Sequence, residues 1–209
     1  MKLYDFPAAA NCQRVTLYLA EKQLQIPRVH VDIHSLQTKT PEFLRKNPAG
    51  KIPVLETDDG AFIAESAAIV EYLEELFPQP AMIGTTALER ARVRGLERIA
   101  SETFSLLSTH AVHTNPYFAT RPGRPVVQSA AIGSDSHDRA MPLLRLLNDQ
   151  LSDHSFLASD EPTVADCTLF AGLHFALRFG FAELPELTRL HAWFERFSSR
   201  PSAQQLPSP

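Results

Sequence analysis

Residues Asn47 to Ser66 read NPAGKIPVLETDDGAFIAES, and the fold can be worked out in both directions from this stretch. Pro53-Val54-Leu55-Glu56 and Ala61-Phe62-Ile63 are β-prone runs separated by Thr57-Asp58-Asp59-Gly60, a turn-rich tetrapeptide. Two such runs around Asp and Gly predict a hairpin. Ser66 then opens a segment in which Ile69, Val70, Leu73, Leu76 and Phe77 share one helical face, stopped by Pro78 and Pro80. Reading backwards, Thr40 stands as N-cap before Pro41 at the first position of a short helix to Arg45. Val29-His30-Val31-Asp32 reads as a strand. Leu3 to Phe6 is an earlier strand, followed by the loop Pro7 to Cys12 and by Val15, Tyr18 and Leu19 at helical spacing. The predicted order is βαβαββα over residues 1–77.

Reading forwards, Phe77-Pro78-Gln79-Pro80 can continue neither a helix nor a central strand, so residues 78–86 are expected to be a linker. Residues 87–209 then read as helical. The pattern predicts a long amphipathic helix from Ala87 to about Phe118, a break over Tyr117 to Ile132, and renewed helix from about Asp135 to Ser152. Glu161 to Asp166 opens the run Cys167 to Leu177, which is apolar on every side and so belongs at the centre of its domain. Leu187 to Ser199 is one more helix, and Gln204 to Pro209 a polar tail expected to fray.

Composition narrows the functional classes. The chain has 209 residues, enough to bury a core without disulfide or metal staples. Its two cysteines, Cys12 and Cys167, are far apart and form no CxxC pair, which points to a reducing, cytoplasmic setting. The start MKLYDFPAAANCQR lacks the continuous apolar run of a secretion signal, and no stretch approaches a membrane span. With 20 Lys+Arg against 24 Asp+Glu and no basic run, nucleic acid is excluded as the main partner. The pairs His30 with His34 and His110 with His113 lack the further ligands of a zinc pattern, so no metal is expected.

Three motifs carry a family resemblance: Asn47 to Leu55, then Ala64-Glu65-Ser66-Ala67-Ala68-Ile69, and Pro162-Thr163-Val164-Ala165-Asp166. In this order and spacing they make nearly the whole chain similar to the cytosolic glutathione S-transferases. The fold implied is α/β plus all-α: a thioredoxin-like N-terminal domain with a helical-bundle C-terminal domain. The resemblance also implies a cis bond at Ile52-Pro53, a geometry that proline makes accessible. By the same resemblance Val54, just after that turn, pairs through its main chain with the cysteinyl backbone of glutathione, in the manner of an added strand. Glu65 and Ser66 stand where hairpin becomes helix, an anion site by virtue of free N–H groups and helix dipole. The resemblance places Ser66 on the γ-glutamyl carboxylate and Glu65 near the ammonium. Ser66 as a plain N-cap is compatible with that role. Lys51 is the candidate for the glycine carboxylate. Thr163-x-x-Asp166 has the form of a capping box and carries stability.

The loop after the first strand departs from the common pattern of the family. Where other members carry Tyr, Ser or Cys, the loop here reads Pro7-Ala8-Ala9-Ala10-Asn11-Cys12. Asn11 resembles the asparagine of the bacterial Nu-type members, which reduce disulfides. Its amide and the helix N-terminus would favour a thiolate over a thiol; the competing reading makes Asn11 a simple N-cap. Cys12 is either a reactive thiol beside that terminus or small core packing. His110, His113, Tyr117 and Phe118, late in the long helix, are placed by the resemblance in the second-substrate pocket. The expectation is a homodimeric glutathione transferase acting on an electrophile or a disulfide. The alternatives are a glutathione-dependent disulfide reductase or peroxidase, and a non-catalytic binding or regulatory protein of the same fold.

Overall fold

The structure, a computed structural model, describes residues 1–123, 125–182 and 184–207. Its first unit is β1 (Lys2–Asp5), α1 (Ala10–Glu21), β2 (Arg28–His30), α2 (Pro41–Lys46), β3 (Val54–Glu56), β4 (Phe62–Ala64) and α3 (Ser66–Leu76). The strands form one sheet in the order β2-β1-β3-β4, with β1 and β2 parallel and the other pairs antiparallel. The predicted βαβαββα order is therefore present. Successive strand residues point to opposite faces. Leu3 and Leu55 join the main core with α1 and α3, whereas Tyr4 and Val54 pack with Val31 and Phe43 against α2 on the other face. Thr40 Oγ1 accepts the Phe43 amide at 3.3 Å, capping α2 with Pro41 at its first position.

The chain between α3 and the next helix is held at its start. Lys22, fully buried, donates to the Phe77 carbonyl at 2.6 Å and to the Pro80 carbonyl at 2.5 Å, and pairs with Glu74. Then follow α4 (Ala87–Thr114), α5 (Tyr117–Thr120), α6 (Ala130–Gln150), α7 (Val164–Arg178) and α8 (Thr188–Ser198). As its all-apolar pattern requires, α7 is central, packed against α4 and α1. The approach to α4 is close enough that a Cβ on Gly172 would lie 2.7 Å from the Phe104 side chain.

Three boundaries differ from the sequence reading. The long helix stops at Thr114, because Asn115 closes it on the Ala111 carbonyl and Pro116 cannot continue it. Tyr117 and Phe118 therefore sit on the separate turn α5. Helix α6 starts five residues earlier than expected, since the Ser129 hydroxyl accepts the Ile132 amide as N-cap. The tail does not fray up to residue 206: Arg200 pairs twice with Glu21 at 2.8 Å, Ser202 donates to the same carboxylate, and Leu206 packs on the core. Positions 208–209 lie outside the described residues.

Candidate functional site

A cleft of about 970 Å³ opens between the loop after β1 and helices α4, α5 and α7. Its walls include Ala8, Ala9, Ala10, Asn11, Ile52, Phe104, His113, Tyr117, Phe118, Phe175 and Phe179. Of the residues expected at the site, the cleft takes in Asn11, Ile52, His113, Tyr117 and Phe118. Cys12, Lys51, Pro53, Val54, Glu65, Ser66 and His110 do not line it.

Where the cleft meets α1, Ala9 is the N-cap of the helix with no side-chain bond, and Asn11 is the second helical residue. That removes the reading of Asn11 as N-cap. Its side chain has another partner: the Ser66 hydroxyl donates to Asn11 Oδ1 at 3.2 Å, leaving the amide N–H groups without an acceptor among the described residues. The main-chain N–H groups of Ala10 and Asn11, at the start of α1, also lack intrahelical acceptors. Asn11 is exposed, so these donors converge on the cleft.

Cys12 must be corrected. One step along a helix turns the side chain by about 100°, so Cys12 points away from the face that carries Asn11. It is fully buried, and burial pushes its thiol up to about 12, with no nucleophilic thiolate near neutrality. Cys12 is core packing, as is Cys167, whose thiol burial also raises well above the ordinary range.

Around the cis Ile52-Pro53 bond, Val54 is also displaced from its expected role. It is fully buried and lies between Tyr4 of β1 and Ala64 of β4, so its main chain faces no open edge. Ile52, on the near side of the turn, faces the cleft. Pro53 is buried beside it. The Lys51 carbonyl accepts Asn47 Nδ2 at 2.7 Å, while its exposed ammonium has no partner among the described residues. Lys39, which the sequence reading passed over, reaches the same bend and donates to the Gly50 carbonyl at 3.0 Å.

Glu65 rather than Ser66 is the N-cap of α3, and its φ of 71° with ψ of 122° is a costly conformation for a residue with a Cβ. Its side chain makes no cap bond, so the first N–H groups of α3 stay open, next to Ser66 as the first helical residue. Ser66 is buried and also accepts from Arg14 Nη1 at 3.3 Å. Arg14 in turn pairs with buried Glu97 of α4. The chain Asn11, Ser66, Arg14, Glu97 thus ties the mouth of α1 to α3 and α4.

At the other end, His113 Nδ1 accepts the Ser129 amide at 3.2 Å, which puts the proton of the neutral ring on Nε2. His110 turns toward α6 instead, its Nδ1 bonded to the Gly133 carbonyl at 3.0 Å, and it leaves the predicted pocket. Phe175 of α7 and Phe179, the residue that caps its end, complete the aromatic wall, their rings 4.8 Å apart. Sequence reading missed both because α7 is apolar on every side and no pattern marks which face meets the cleft. His30 and His34 pack their rings on Phe6. Among the described residues no group of three or more His, Cys, Asp or Glu is placed to hold a metal ion, and no helix is long and apolar enough to cross a membrane.

Comparison with known proteins gives a consistent picture. Residues 3–81 match the family model described as glutathione S-transferase, N-terminal domain, and residues 123–201 the one described as glutathione S-transferase, C-terminal domain. The chain is 34% identical over 209 residues to glutathione S-transferase 2 of Saccharomyces cerevisiae, covering 99% of this chain and 89% of that protein. It is 30% identical to the maleylacetoacetate isomerase of Pseudomonas aeruginosa, over 87% of this chain and 84% of that one. Among solved structures, a glutathione S-transferase domain-containing protein of Marinobacter aquaeolei superposes with a TM-score of 0.87 at 35% identity, covering 97% of this chain and 99% of the other. Gtt2 of Saccharomyces cerevisiae gives 0.89 at 33% identity, covering 99% and 100%.

Proposed function

Since the chain belongs to the glutathione S-transferase family, we propose that it is a glutathione transferase that binds glutathione at Asn11, Lys51, Ile52, Glu65 and Ser66 and directs its thiolate into the cleft. The observation that carries this is the Ser66 to Asn11 hydrogen bond, which joins the anion site at the start of α3 to the donors at the start of α1. The γ-glutamyl carboxylate fits the open N–H groups of α3 with the Ser66 hydroxyl, and the exposed Glu65 side chain fits the ammonium. Ile52 takes the main-chain role first expected of Val54, because it stands on the open side of the bend. Lys51, with Lys39 nearby, fits the glycine carboxylate. The sulfur then lies over Asn11 and the N–H groups of α1, where charge stabilisation lowers the thiol pKa without a base. In conjugation the thiolate forms a C–S bond and the leaving group departs with its electron pair.

Residues 1–77 form the glutathione-binding domain in this reading, 78–86 the linker and 87–209 the helical domain. A cytoplasmic homodimer completes it. Two buried free thiols suit a reducing compartment, and exposed Phe62, Leu76 and Leu88 offer apolar surface for a second copy to cover. Calorimetry with glutathione, together with thiolate absorbance of the complex at about 240 nm, tests the proposal. Saturable binding with a thiol pKa below the ordinary value of about 8.5 is expected. No binding at millimolar glutathione would sink the reading, and binding with an unshifted thiol would favour a non-catalytic protein of this fold. Cys12 being buried, any disulfide reduction must use the sulfur of bound glutathione.

A further inference from the structure

The lining of the cleft points to a charge on the second substrate: we propose that it is an anionic aromatic electrophile, with a carboxylate on the ring that glutathione attacks. This rests on the glutathione reading, which supplies the nucleophile. Among the described residues, the lining carries two arginines, Arg121 and Arg178, and no aspartate or glutamate. The chain as a whole has a formal net charge of -4, with 24 acidic residues. The cleft is therefore opposite in sign to the molecule around it.

The two arginines flank one aromatic cluster. The Arg121 guanidinium lies 5.3 Å from the centre of the Phe118 ring, and that of Arg178 lies 5.9 Å from the Phe179 ring. The Phe118 and Phe179 rings are 4.6 Å apart, with Tyr117 stacked on Phe179 at 5.6 Å. Arg178 closes α7, where the helix dipole favours a cation, so its position is supported before any ligand arrives. A neutral aromatic molecule would be served by the rings alone, and in covering the guanidinium groups it would take water from Arg178 without supplying a charge partner. A carboxylate on the same ring meets them with charge-assisted hydrogen bonds of fork geometry.

A second observation concerns the inner wall. Ser108 Oγ, on the face of α4 that lines the cleft, is buried and has no hydrogen-bond partner among the described residues. An unmade bond of that kind is costly, and a polar substituent on a ligand would supply it. With His113 Nε2–H, the lining offers a second donor beside the Ser108 hydroxyl. This suits a ring activated by nitro or carbonyl oxygens and anchored by an anion. In the reaction the thiolate attacks the ring carbon that bears a halide; the C–S bond forms, the carbon–halogen bond breaks and the halide leaves with the bonding pair. The thiol proton goes to solvent and the carboxylate is unchanged.

The test uses 4-chloro-3,5-dinitrobenzoate and its methyl ester, which share ring and leaving group and differ in charge. Titration calorimetry is first run without glutathione, on the full chain and on Arg178→Gln, Arg121→Gln and Arg178→Lys. The acid is expected to bind about tenfold tighter than the ester, a difference of ~1.4 kcal/mol. Each Gln variant should reduce that preference, and Arg178→Lys should retain most of it. With glutathione present, the acid-over-ester ratio of kcat/KM should fall in the same variants. Equal affinity for acid and ester, or a preference that survives both Gln substitutions, overturns the proposal. Because the first titration omits glutathione, a protein that prefers the acid yet fails to bind glutathione would overturn the transferase reading and not the charge of the cleft.

Discussion

With only methyl groups at Ala8, Ala9 and Ala10, the chain entering α1 offers a thiolate no hydroxyl or thiol, so under the proposed function its charge would fall to the Asn11 amide and the free N–H groups of α1. Replacing Asn11 with Ala should then lower turnover about tenfold, equivalent to ~1.4 kcal/mol of transition-state stabilisation, and raise the pKa of the bound thiol. Steady-state kinetics and ultraviolet titration of the complex read both quantities; an unchanged rate would move the role to the backbone amides alone. Cys12 is expected to behave in the opposite way. Its thiol should resist Ellman's reagent in the native protein and react in denaturant, and Cys12→Ala should leave glutathione binding intact. The folded protein holds this proton up to about pH 12, whereas the unfolded chain releases it from about 8.5. The stability so contributed is complete below about pH 8.5 and falls as pH rises through the folded value. Urea midpoints at pH 8.5 and 10 should therefore drop further in the parent than in Cys12→Ala, by ~2 kcal/mol at most.

Asp166 shows what a helix terminus demands when it is central. Its carboxylate accepts four buried donors: the Thr163 amide and hydroxyl at 2.8 Å, the Leu157 amide at 2.9 Å and Trp193 Nε1 at 2.9 Å. Burial pushes this carboxyl up while those bonds oppose the shift. Asp166→Ala would strand all four donors, and a loss on the order of 4 kcal/mol is expected in chemical denaturation, with glutathione affinity unchanged in the protein that remains folded. The cap was legible because capping is local: Thr163 and Asp166 stand three apart and announce themselves, as do Thr40-Pro41 and the Asp-Gly turn of the hairpin. The half of the site on the first unit was legible for the same reason, since contiguous motifs build it. The other half was not. Its walls come from Phe104, Phe175, Arg178 and Phe179, whose orientation toward the cleft depends on how α4 and α7 pack, and apolar periodicity running through Tyr117 and Phe118 hid the stop at Asn115. Cys12 and Val54 were misplaced for a related reason: Cys12 adjoins Asn11 and Val54 lies two residues past Ile52, both of which face the cleft, and one step along a helix or two past the bend is enough to bury a side chain.

Arg14 of α1, Glu97 of α4 and Ser66 of α3 would couple the stability of the protein to its proposed chemistry, because one buried ion pair bridges α1 and α4 and also contacts Ser66 of the proposed glutathione site. The side chains of Arg14 and Glu97 are 5% and 7% exposed. Arg14 Nε has no partner among the described residues, and burial pulls this guanidinium below its ordinary range while the Glu97 carboxylate opposes the shift. Removing one member of such a pair leaves an uncompensated buried charge, and Glu97→Ala should cost roughly 3 to 5 kcal/mol. Replacing both members with apolar residues of similar size is often neutral for stability. The pair Arg14→Met with Glu97→Leu therefore separates the two roles. Denaturation midpoints should recover most of the loss in the double variant, while calorimetry should still show weakened glutathione binding, because Ser66 has lost the donor that fixes its hydroxyl toward Asn11. Recovery of both quantities together would show that the pair acts on packing alone and that Ser66 is held by α3 without help from α1.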